Sequence, residues 1–121
     1  MQYVRIFSDP GGLTHFDEGE TEMAETNFAP PAPAFLMSSA FATADIRFGT
    51  MTAGWYGDWH PSPQRQFRLQ LAGEVEFEVS DGAVRRFGPG SVMLLEDLSG
   101  QGHRMRVVAG SPSTAAYVRL T

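Results

Sequence analysis

Apolar and polar residues alternate along most of this chain with the two-residue period of β-strands. Val75, Phe77 and Val79 alternate with Glu74, Glu76 and Glu78. One face of that segment is apolar and the other charged, as in a half-buried strand. From residue 35 onward, runs of this kind predict strands near 35–39, 44–53, 66–72, 74–80, 83–87, 91–96, 103–109 and 115–120. They are punctuated by Gly54, Ala72-Gly73, Asp81-Gly82, Gly88-Pro89-Gly90, Gly100 and Gly110-Ser111-Pro112. No stretch reads as a long amphipathic helix, although segment 19–26 has room for one turn. There is no internal repeat. Short strands with regular turns predict an all-β sandwich or barrel.

Before residue 35 the pattern changes. Asp9-Pro10-Gly11-Gly12, a run of acids and Ala29-Pro30-Pro31-Ala32-Pro33 follow one another. Pro-rich stretches are extended rather than helical. Residues 1–34 are therefore expected to form an extended arm over the barrel or a partner subunit, with 35–121 as the barrel itself.

The segment QFRLQLAGEVEFEVSDGAVRRF reads as the clearest hairpin region, and Asp81-Gly82 is a favourable hairpin turn. Its first half poses a question of facing. Gln66, Arg68 and Gln70 share one face, and Phe67, Leu69 and Leu71 the other. A two-residue turn at Ala72-Gly73 puts Gln66, Arg68 and Gln70 on the face of Val75, Phe77 and Val79. A three-residue loop pairs Leu71 with Val75 and leaves a polar outer face. The two-residue turn is the expectation adopted. Phe67, Leu69 and Leu71 then need another cover, which predicts a homodimer or a role for the arm.

Composition narrows the chemistry. The 121 residues fit one domain with its own core. No cysteine is present, which excludes disulfides, thiolate metal sites and cysteine nucleophiles. All nine basic residues are arginine, so a Schiff-base lysine is excluded. No apolar run reaches the roughly 20 residues that span a bilayer. The N-terminus is too short and polar for a signal peptide, so a cytoplasmic protein without membrane contact is expected. The net charge of −5 resides in residues 1–34, where six acids face Arg5 alone. Residues 35–121 carry eight acids and eight arginines and are neutral. No basic stripe appears, and nucleic acid is not an expected partner.

The stretch GDWHPSPQRQF brings these strands to a known family. Gly54 is followed by five residues and then His60; Ser62, Gln66 and Gly73 follow at further fixed intervals. This spacing resembles the first cupin motif, Gly, five residues, His-x-His, three or four residues, Glu, six residues, Gly. Ser62 stands in the second histidine slot and Gln66 in the glutamate slot. Gly88-Pro89-Gly90 resembles the turn before a cupin strand, and His103 lies about where the last cupin histidine falls. The resemblance covers roughly residues 44–120, and residues 78–107, EVSDGAVRRFGPGSVMLLEDLSGQGHRMRV, resemble an uncharacterised bacterial group of cupins particularly closely. It implies a double-stranded β-helix, the jelly-roll barrel, with an extended Pro-rich N-terminal arm.

The resemblance also implies a site. His60, Gln66 and His103 would surround a divalent Fe, Mn, Ni, Cu or Zn, with open positions for substrate. Ser62 is a poor neutral ligand, and Gln66 offers a carbonyl oxygen without charge, so affinity should fall below that of a three-His-one-Glu site. If Gln66 faces inward, so do Arg68 and Gln70, and Arg68 can hold an anion. Glu96 or Asp97 could orient a histidine or act as a base across the Leu98–Gly102 loop, or be solvated loop acids. Trp55, Tyr56 and Trp59 could line an aromatic pocket or belong to core or interface. His15 could be a lid residue or a surface histidine.

Three functions follow. The first is a metal-dependent isomerase, cyclase or lyase acting on a small anionic or oxygenated substrate held by Arg68, with Glu96 as the acid or base. The second is a metal-free cupin that binds a small ligand. The third is a structural or regulatory cupin without catalysis.

Overall fold

The structure is a computed structural model that describes residues 1–108 and 110–121. Two sheets face one another. The larger contains β1 (Gln2–Ser8), β2 (Thr14–Glu20), β5 (Thr43–Met51), β7 (Gln66–Ala72), β10 (Val92–Glu96) and β12 (Ser113–Leu120), in the order β2-β1-β10-β7-β12-β5. The smaller contains β6 (Tyr56–His60), β8 (Val75–Val79), β9 (Val84–Phe87) and β11 (His103–Val107), in the order β6-β11-β8-β9. Strands β3 (Ala24–Thr26) and β4 (Phe35–Met37) pair only with each other. No helix forms among the described residues, so none is long and apolar enough to cross a membrane.

The expected strands from residue 35 onward are all present with shifts at their ends. The strand expected over 103–109 ends at Val107, and residue 109 lies outside the described residues. Four strands were not expected: β1, β2, β3 and β6. β1 carries a legible alternation, with Val4 and Ile6 facing the core and Tyr3, Arg5 and Phe7 facing away. It pairs in parallel with β10 and antiparallel with β2. The acids of β2 lie on an edge strand, where charge discourages pairing with other chains. Asp17 reaches Arg5, and Glu18 reaches Arg85.

The β7–β8 segment corrects the expected hairpin. β7 bonds to β10 and β12, whereas β8 bonds to β11 and β9. The chain changes sheets at Gly73, whose φ of 73° and 2.3 Å from a virtual Cβ to the Pro112 carbonyl oxygen leave no room for a side chain. The facing expectation nevertheless stands. Gln66, Arg68 and Gln70 are buried, as are Val75, Phe77 and Val79, because the two strands meet across the interior from opposite sheets. The Asp81-Gly82 hairpin joins β8 to β9 as expected.

Ile6, Val75, Phe77, Val79, Phe87, Met93, Leu95, Met105 and Val107 form one apolar core. The outer face of β7 finds part of its cover within the chain. Tyr3 and Phe41 both meet Phe67 edge-on, at 5.9 Å and 5.0 Å between ring centres. Beyond them the outer face stays open, with Ile46 54%, Phe48 69% and Leu71 50% exposed.

Candidate functional site

One end of the barrel holds a cavity of about 410 Å³. Its floor comes from β5, β12 and β7, whose inward positions fall in rows. Arg47 lies opposite Tyr117, and Tyr117 opposite Arg68. The next row is Asp45, Arg119 and Gln66, and the row on the other side is Gly49, Ala115 and Gln70. The facing wall is Phe77, Met105, His103 and His60 from the smaller sheet.

Arg68 is the unusual group. It is 1% exposed. Its Nη1 donates to Gln70 Oε1 at 2.6 Å, and Gln70 is itself held by donating Nε2 to Ser113 Oγ at 2.9 Å and to the Ala72 carbonyl at 2.8 Å. The guanidinium carbon lies 5.4 Å from the Phe77 ring centre and 5.5 Å from that of Tyr117. Its Nε and Nη2, which form one edge of the guanidinium, have no partner among the described residues. That edge is the fork that a carboxylate grips with two parallel hydrogen bonds. No carboxylate pairs with Arg68 among the described residues. A buried charge left in this state costs several kcal/mol.

The other charges of the cavity leave that excess standing. Arg119 pairs with Asp45 and donates to Gln64 Oε1 at 3.2 Å. Arg47 has no carboxylate partner among the described residues. The lining therefore carries two guanidinium charges beyond its internal balance.

Across the cavity, His103 is 3% exposed and Asp97 is fully buried. His103 Nδ1 lies 2.6 Å from Asp97 Oδ2. Asp97 Oδ1 accepts the Ser62 hydroxyl at 2.7 Å, and the Asp97 carbonyl accepts the Ser62 amide at 2.9 Å. In the neutral ring, a carboxylate that accepts from Nδ1–H fixes the tautomer and leaves Nε2 of His103 as the acceptor nitrogen. Gly102 sets this histidine against β6, since a virtual Cβ there would stand 2.0 Å from the His60 carbonyl oxygen. His60 sits opposite His103 in register, with 4.6 Å between ring centres. Its Nδ1 lies 2.6 Å from the Asp58 carbonyl, which can only accept, so its Nε2 is also unprotonated in the neutral ring.

Of the residues singled out in the sequence, His60, Ser62, Gln66, Arg68, His103 and Trp55 all line this cavity. Gln70 lies beneath it and braces Arg68. Glu96 is not brought there. It sits on the outer face of β10, where its carboxylate accepts from Arg5 and Arg65, each at 2.6 Å. Burial raises its pKa, but the two arginines outweigh that and hold it below the ordinary carboxylate value. Facing alternates along a strand, so an acid that points outward cannot serve the interior; its neighbour Asp97 does. Trp59 also stands apart, with the Arg104 guanidinium 5.0 Å from its ring centre. Tyr56 lines a separate cleft with Glu76, Glu78 and Arg104. His15 is not at the cavity; both its ring nitrogens meet carboxylates, Asp81 at 2.8 Å and Asp9 at 2.7 Å.

Arg47, Arg119, Asp45 and Tyr117 were missed. The signal for Asp45 and Arg47 was present in TADIRFGTM, where Ile46 and Phe48 alternate with them, but alternation alone does not say which set faces inward.

The metal that the motif implies meets an unfavourable donor set. Among the described residues, no group of three histidine, cysteine or acidic side chains gathers to hold a cation. Both carboxylate oxygens of Asp97 are engaged by Ser62 and His103, and Asp45 is neutralised by Arg119. Two imidazoles and a neutral amide would have to hold a dication beside the unneutralised Arg68. The residues present fit an anion better than a cation.

No protein-family model and no protein of curated function matches the chain. Among solved structures it is similar to the cupin domain of Cnp3 from Schizosaccharomyces pombe, with a TM-score of 0.52 and 14% identity, over 89% of this chain and 72% of that one. It is also similar to a protein described as ethanolamine utilization protein Q from Salmonella typhimurium, with a TM-score of 0.44 and 14% identity, over 99% of this chain and 95% of that one. At such identity the likeness to the Cnp3 domain speaks to the fold alone. The chain has a small all-β, cupin-like fold, as the motif spacing implied.

Proposed function

We propose that the chain binds a small carboxylate-bearing molecule in this end of the barrel, and that His103 and Asp97 move a proton on it. The observation that carries the reading is the free Nε/Nη2 edge of the fully buried Arg68. A ligand carboxylate would neutralise that charge and fill both donors at once. Bound there, the ligand would face His103 across the cavity. Nε2 of His103 would take a proton from the carbon beside the carboxylate and return it, while Asp97 holds the ring and stabilises the imidazolium. The reaction class is then isomerisation, or a lyase step that begins with the same proton. A binding protein without catalysis is the rival reading. So is the metal-dependent enzyme, against which the donor set argues.

Calorimetry with acetate, butyrate and succinate tests binding. Heat that saturates in wild type and is lost in Arg68→Met supports the reading, and equal binding by the variant overturns it. Proton exchange tests the chemistry. In heavy water, the hydrogens beside a bound carboxylate should exchange with wild type and stop exchanging in His103→Gln and in Asp97→Asn. Exchange unchanged by both substitutions would remove His103 and Asp97 from the chemistry, and no exchange with wild type would leave a binding protein only. Metal analysis of untagged protein addresses the third reading, since one tightly held ion per chain, lost in His60→Ala/His103→Ala, would restore the metal site.

A homodimer is part of this proposal. Ile46, Phe48 and Leu71 are exposed on one continuous outer face that ends at the edge strand β5. A second copy would cover it. Sedimentation should give twice the chain mass for wild type and the single mass for Phe48→Glu.

A further inference from the structure

We infer that the ligand is a short dicarboxylate, with one carboxylate on Arg68 and the second on Arg47. This rests on the reading of Arg68 as an anion site and names the class of molecule that enters it.

The two guanidinium groups without carboxylate partners among the described residues, Arg47 and Arg68, stand in one row on the inner face of the larger sheet. One strand separates theirs, and the residue between them is Tyr117. Strands in a sheet lie about 4.8 Å apart, so the two backbones are about 10 Å apart. Arg68 is buried and Arg47 is exposed at the rim, so one cation is deep and the other at the mouth. The third arginine of the floor, Arg119, already has Asp45.

A dianion whose two charges share one group, such as a phosphate monoester, would satisfy Arg68 and leave Arg47 idle. A molecule with a carboxylate at each end would meet both. Its carbon chain would lie over the Tyr117 ring, which leans across Gly49 so closely that a virtual Cβ there would stand 3.3 Å from Tyr117 Cε2. Absence of a side chain at Gly49 keeps that floor low. A cavity of about 410 Å³ has room for a four- to six-carbon diacid, and pockets for larger ligands run toward 1,000 Å³.

Calorimetry on the full chain tests this with succinate, glutarate, butyrate and phosphate against wild type, Arg47→Gln and Arg68→Met. Succinate or glutarate should bind wild type at least 10-fold more tightly than butyrate, and Arg47→Gln should erase that margin while keeping the butyrate affinity. Arg68→Met should abolish binding of all of them. If butyrate and succinate bind alike and both need Arg68, the dicarboxylate inference falls while the anion site stands. If phosphate binds most tightly through Arg68, the class is wrong and the site stands. If none of these compounds depends on Arg68, both readings fall together. Gly49→Val, which raises the floor, should weaken succinate at least 10-fold without changing the far-ultraviolet circular dichroism; unchanged affinity would place the diacid elsewhere.

Discussion

The two ends of this barrel obey opposite rules. At one end the larger sheet turns Val4, Ile6, Met93 and Leu95 inward against Phe77, Val79 and Phe87, an apolar interior. At the other end, β5, β12 and β7 turn Asp45, Arg47, Tyr117, Arg119, Gln66, Arg68 and Gln70 inward and present Ile46, Phe48, Val118 and Leu71 on the outside. The same sheet is thus inverted over half its width. The first end supplies stability through burial of apolar surface. The second holds polar groups whose desolvation is costly unless something pairs with them. The region that folds the protein and the region of the proposed ligand site are therefore separate, joined at Phe77, which belongs to the core and also faces Arg68.

Substitutions can break that division, beginning with the largest effect. Phe77→Ala should cost about 3–5 kcal/mol of stability, read from urea denaturation, because it removes a buried ring that joins the apolar core to the cavity wall. Asp97→Asn should cost less, about 1–3 kcal/mol, by weakening the buried bonds to His103 and Ser62. Its larger effect should fall on proton exchange. An equal loss from both substitutions would mean that the polar end is as structural as the core.

The smallest effect belongs to neither end. His15 clasps Asp9 and Asp81, which raises its pKa above 6.5, chiefly through the hydrogen bond to Asp9 and then that to Asp81. A group whose folded pKa is raised stabilises fully below its unfolded value and loses that contribution as pH rises through the folded one. The gap in Tm between wild type and His15→Asn should therefore be widest near pH 6 and close toward pH 9. A gap that widened with pH would reverse the assignment. Ligand affinity should not follow this titration, because the clasp lies outside the cavity.

Much of the fold was legible in the residues. The alternation Val75, Phe77, Val79 marks β8, and Asp81-Gly82 marks its turn, because both signals are local. The exchange of sheets at Gly73 was not legible. A tight turn after QFRLQLA reads as a hairpin unless the neighbours of each strand are known, and those neighbours lie far away in sequence. β1 was passed over because the acids and prolines that follow it drew its segment into the arm. The site was half legible. Spacing from Gly54 to Gly73 located His60, Ser62 and Gln66, and strand phase carried Arg68 inward with Gln66. Phase without an anchor could not do the same for Arg47 or Arg119. Glu96 and Asp97 are adjacent and chemically alike, and only the direction of β10 decides that Asp97 meets His103 while Glu96 meets Arg5 and Arg65.

The inverted end rests on one claim, that Arg68 is kept as a buried charge for the sake of a ligand. Thermal unfolding of Arg68→Met without ligand tests it most directly. Replacing a buried, unneutralised guanidinium by an apolar side chain of similar length should stabilise the free protein, by about 1–4 kcal/mol, and remove the further rise in Tm expected of wild type with succinate. A lower Tm for Arg68→Met than for wild type would contradict the account, since Arg68 would then be holding the barrel together.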